Sequence, residues 1–118
     1  MKSIICALLL LFAIPSFAAT CKISEYASMV TDPDGRVTPV ALEPAVVEQT
    51  VTYSTSAASS AVNAATRFVR IICDAKAHFE FGTAPVAETT DPYVPADTAE
   101  YFGVVQGKSM KIAFIAGA

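Results

Sequence analysis

The sequence predicts an all-β fold: a small antiparallel β-sandwich or jelly-roll-like barrel of about six or seven strands behind an N-terminal hydrophobic segment. Three observations carry this. β-branched and aromatic residues fall in short alternating runs, and clusters of Pro, Gly, Asp and Ser separate those runs. No window of about 11 to 18 residues sustains a helical stripe.

At the front, Lys2 precedes an apolar run from Ile4 to Ile14, which Pro15 ends. A short basic start, an apolar stretch of about ten residues and a small-residue site describe a secretory signal. Ser16 and Ala18 supply that site. The chain is thereby divided into residues 1–18, signal-peptide-like, and residues 19–118, a single β-domain. Other readings of the front stay open. A retained membrane anchor would be shorter than the ~20 apolar residues a spanning helix needs. Lipidation at Cys21 would lack the usual leucine three residues earlier, and translation could start further in.

The chain has 118 residues, 53% of them apolar and 16% charged, a composition able to bury one core. Its formal charge is −3; without residues 1–18, which hold one lysine, seven basic and eleven acidic side chains leave −4. Lys22, Arg36, Arg67, Arg70, Lys76, Lys108 and Lys111 are scattered along the chain. Nucleic-acid binding, which needs a continuous basic surface, is not expected.

Cys21 to Tyr26 reads as the first strand and Val37 to Val40 as the second. Asp32-Pro33-Asp34-Gly35 turns the chain between them, since Pro33 pre-sets φ and Gly35 accepts positive φ. The tetrad opens like a calcium loop, but no acid follows within Arg36 to Ala41, so the reading is a turn. Val46 to Tyr53 alternates well, and the Ser/Thr/Ala-rich stretch Ser54 to Ala65 reads as a polar connection.

Thr66 to Ala75 is the strongest segment and the expected central strand, with Val69, Ile71 and Cys73 on one face and Phe68, Arg70 and Ile72 on the other. Ala77 to Phe81 continues the alternation, which predicts a hairpin around Asp74 to Lys76. Pro85, Pro92 and Pro95 then make residues 83 to 98 an exposed excursion. Glu100 to Val105 gives another strand, Gln106 to Ser109 a hairpin-type turn, and Met110 to Ile115 the last strand, with Met110, Ile112 and Phe114 inward.

Nothing in this pattern spells out catalysis, and no cofactor is implied. No serine lies in a G-x-S-x-G elbow, and the single histidine, His78, shares an outward strand face with Glu80, an ordinary polar surface. Asp74 with Glu80, or Asp97 with Glu100, could pair as carboxylates but read as solvated acids. Cys21 and Cys73 form an even pair in an export-type chain. A disulfide between them would close a loop of about fifty residues, contributing on the order of 4 kcal/mol. The alternative is two unpaired thiols, with Cys73 a small buried hydrophobe.

Three stretches carry a resemblance: Lys22-Ile23-Ser24-Glu25-Tyr26, Asn63 to Ile71, and His78-Phe79-Glu80-Phe81-Gly82-Thr83-Ala84-Pro85. Asp97 to Val104, followed by Gln106-Gly107 and an apolar last strand, adds to it. The chain resembles small, mostly uncharacterised proteins of tailed bacteriophages and prophages thought to belong to the virion. That resemblance implies a non-enzymatic structural protein, such as a capsid decoration or head- or tail-associated part, in a homo-oligomer or on a capsid or tail protein. Its location would be the virion, and membrane contact would come only through a retained N-terminal segment. Phe68, Ile72 and Phe102 are the candidate contact surface. The export segment departs from this picture and favours an alternative, a periplasmic or surface binding or adhesion module whose loop Thr83 to Asp97 presents Tyr93 to a ligand.

Overall fold

The computed structural model describes residues 18–117, so the expected leader lies outside the described residues except for Ala18. The described chain is all-β. Ten strands follow in order: β1 (Ala19–Tyr26), β2 (Met29–Thr31), β3 (Val37–Ala41), β4 (Val47–Tyr53), β5 (Ala57–Ala58), β6 (Phe68–Cys73), β7 (Ala77–Gly82), β8 (Tyr93–Val94), β9 (Glu100–Gly103) and β10 (Lys111–Ala116). They form one antiparallel sheet in the order β4-β1-β6-β9, a second in the order β5-β10-β7-β8, and a two-stranded ribbon, β2-β3.

The two sheets are separate, so the barrel alternative does not hold: among the described residues no ladder joins the edges into a closed cylinder. One apolar cluster takes side chains from both sheets. Ile23, Val51, Tyr53, Val69 and Ile71 come from the first, and Ala77, Val94, Ile112 and Phe114 from the second. Burying the inward residues of these strands removes them almost wholly from water, each worth roughly 1.5–3 kcal/mol for a large aliphatic or aromatic side chain.

β6 is an interior strand, flanked by β1 and β9. The expected hairpin from β6 into β7 is not formed: β6 belongs to the first sheet and β7 to the second, and residues 74–76 cross between them. Cys73 and Ala77 are both fully buried, as a hairpin or a crossover would equally have them. Alternation reports which face is covered, and it is silent on which strand lies alongside. Tyr53 helps hold the corner, its hydroxyl donating to the Ala75 carbonyl at 3.1 Å.

The same correction applies at Gln106 to Ser109, which joins β9 in the first sheet to β10 in the second. At Asp32 to Gly35 the expected turn is formed, with Gly35 at φ 80°; it closes the ribbon β2-β3, while β1 pairs with β4 and β6. Nor are residues 83–98 exposed throughout. Ala87 and Val94 are buried, and β8 pairs with β7.

Candidate functional site

The Asp32 to Gly35 turn builds its ribbon locally. The Asp32 side-chain Oδ1 accepts from the amides of Asp34 at 3.0 Å and Arg36 at 2.8 Å, and Gly35 takes φ 80°. Such an Asx-type turn needs no tertiary support. The ribbon stands over the outer face of the first sheet near β9 and leaves a groove of about 530 Å³. Its walls include Met29, Val37, Arg67, Phe68, Tyr101 and Phe102.

Aromatic rings form the floor of this end of the sheet. Phe68 stacks on Tyr26 at 5.2 Å between centroids and lies 6.5 Å from Tyr101. Phe102 turns inward, 4.8 Å from Phe79 and 5.6 Å from Phe81, and so ties β9 to the second sheet. The Tyr26 hydroxyl donates to Glu43 Oε1 at 2.7 Å. Burial, reinforced by that carboxylate, pushes the Tyr26 phenol above its ordinary range. Met29, Val37 and Tyr101 stay exposed at 39%, 65% and 56%, an apolar rim around one cation, Arg67.

Of the four expected contact residues, Phe68 and Phe102 are brought together here. Phe68 is not free surface: it is buried beside Tyr26, and the exposed apolar residues of the groove are Met29, Val37 and Tyr101. Ile72 sits elsewhere, in a polar hollow with Lys22, Glu48, Thr50 and Arg70. Tyr93 lies on the second sheet, with the Lys76 ammonium 4.2 Å from its ring centre and His78 edge-on at 5.8 Å.

His78 is also a correction. It is buried, and its Nδ1 lies 2.7 Å from the Asp91 carbonyl, because β8 pairs alongside β7 and brings Asp91 and Tyr93 against the His78 ring. Glu80 accepts from the Val86 amide at 2.9 Å, so these two side chains position the 83–98 segment.

Cys21 and Cys73 face each other across β1 and β6 with S–S 1.99 Å and Cα–Cα 4.0 Å, and both are fully buried. On one side of this pair the Asp74 amide donates to the Thr20 carbonyl at 3.0 Å. The cysteines therefore occupy a non-hydrogen-bonded position, where opposed side chains approach most closely.

The residue that sequence reasoning passed over is Glu25. It is fully buried, and its two carboxylate oxygens accept three hydrogen bonds: from Gln49 Nε2 at 2.7 Å, from the Asn63 amide at 2.8 Å and from Thr66 Oγ1 at 2.7 Å. The signal was present. Cys21, Ile23 and Glu25 share the inward face of β1, and an acid at an inward position demands donors from somewhere.

Searches against protein-family models, curated protein sequences and solved structures return no match.

Proposed function

We propose that this domain is a non-enzymatic structural module of the sandwich type, acting through protein–protein contacts at the groove between the ribbon and β9, in the manner of a phage virion component. The observation that carries the reading is the apolar rim of Met29, Val37 and Tyr101 over an aromatic floor. Exposed apolar residues gathered at one place, rather than scattered, mark interaction sites. The two sheets share one core cluster, which supports the sandwich assignment.

The test is co-fractionation. The protein should travel with intact particles through density-gradient sedimentation, and Val37→Asp in the groove should release it into the soluble fraction. A protein absent from particles would sink the virion reading.

A second reading, an exported binding module, is favoured by one specific observation, the Cys21–Cys73 pair, since disulfides persist in oxidising compartments. The same gradient fractions decide it through the intact, non-reduced mass. A chain beginning at Ala19 and oxidised supports export, whereas a retained leader with free thiols excludes it.

A further inference from the structure

We propose that copies of this chain join head to tail through the two edges of the first sheet, β4 of one copy adding antiparallel to β9 of the next. The proposal deepens the contact-surface reading by naming a second copy as the partner.

Main-chain direction leaves both edges of the first sheet open. The Val104 amide donates to the Arg67 carbonyl, which sets the alternation along β9. Glu100 and Phe102 turn their main-chain groups toward β6, and Tyr101 and Gly103 turn theirs away. On the other side, the Asp74-to-Thr20 bond sets β1: Thr20, Lys22 and Ser24 face β6, so Cys21, Ile23 and Glu25 face β4. Their partners Val51, Gln49 and Val47 point inward along that ladder, leaving the main-chain groups of Glu48, Thr50 and Thr52 outward. No described strand pairs with either outward row.

Exposed edges are usually blunted, and elsewhere this chain does so. The edge strands of the second sheet, β5 and β8, are two residues long, and Pro39 interrupts β3 of the ribbon. β4 and β9 carry neither proline nor lysine, over seven and four residues. Both edges of one sheet are thus left able to template a strand.

The directions also match. β4 and β6 are each antiparallel to β1, and β9 is antiparallel to β6, so β4 and β9 run in opposite senses. A copy displaced along the sheet presents its β4 to β9 already antiparallel, with the same face outward. Such heterologous contact closes into a ring or continues as a filament.

Charge selects the register. Placing Thr50 of one copy opposite Tyr101 of the next sets Glu48 opposite Gly103. Gly103 has open space where a side chain would stand, and Arg67 lines the groove beside it. The exposed Glu48 carboxylate then meets the exposed Arg67 across the gap.

Sedimentation velocity on the full chain at about 10–100 μM tests this. Wild type should associate with increasing concentration. Thr50→Pro removes an amide that the fold itself does not use, so it should be monomeric with an unchanged far-UV CD spectrum. Glu48→Lys and Arg67→Glu should each weaken association about tenfold, and the E48K/R67E double variant should recover it. A monomeric wild type, an assembly indifferent to T50P, or a double variant no better than the singles would overturn the proposal. A monomer that still travels with particles overturns this proposal and leaves the contact-surface reading intact. A T50P-sensitive assembly found apart from particles does the reverse.

Discussion

Two excursions leave the sheets of this protein, and their composition predicts the opposite of their behaviour. Residues 59–66 are rich in Ser, Ala, Asn and Thr, the text of a loose connection, yet Ser59, Val62 and Thr66 are buried. The Ser59 amide donates to the Ile112 carbonyl and the Val62 amide to the Met110 carbonyl, both at 2.8 Å, while Glu25 gathers Asn63 and Thr66 from below. The ribbon at 29–41 holds Met29, Val30, Val37 and Val40 but is mostly exposed, and its order comes from its own turn. A polar segment is fixed where buried acceptors await its donors, whereas an apolar one stands free where no described strand covers it. An isolated two-stranded ribbon is marginal in water, so the apolar arm is the part of the fold that owes most to its own turn.

The locked excursion should respond most strongly to mutation. Glu25→Leu leaves the Thr66 hydroxyl, the Asn63 amide and the Gln49 amide group without their acceptor, and should cost about 3 kcal/mol or more in urea denaturation. Protection of the 59–66 amides from hydrogen exchange should fall with it. A loss below about 1 kcal/mol would break the comparison.

An intermediate effect is expected at the foot of the ribbon, where Tyr26 holds Glu43. Because burial raises the Tyr26 phenol in the folded state, as it also raises that of Tyr53 beside Asp74, the fold favours the protonated forms. Their contribution is fully present below about pH 10, the unfolded value, and is lost as pH rises through the folded values. Denaturation midpoints should fall steeply above pH 10, and Tyr26→Phe should flatten that fall. An unchanged slope in the variant would remove Tyr26 as its cause.

The smallest effect belongs to the ribbon itself. Val37→Thr, at a position 65% exposed, should change stability by less than about 0.5 kcal/mol. A larger loss, measured by the same urea titration in dilute monomeric protein, would mean that the arm packs within its own chain.

The strands were largely legible in the sequence. Val47 to Tyr53, Phe68 to Cys73 and Lys111 to Ala116 lie within a residue or two of their expected bounds, and Ile112 and Phe114 face inward as alternation requires. Of the groove, the sequence marks only Phe68 and Phe102 as contact candidates. Met29, Val37 and Tyr101 come from three strands that only the folded chain brings together, and β2 is too short to show a period of its own.

Local sequence was enough for the β class, the inward faces and the Asp32 to Gly35 turn, because each depends on residues within a few positions of one another. Tertiary structure alone decided that β6 and β7 part into different sheets, that His78 is covered and that Glu25 anchors a loop 38 and 41 residues away. Alternation records that a face is buried, and only the assembled sheets choose the neighbour that buries it.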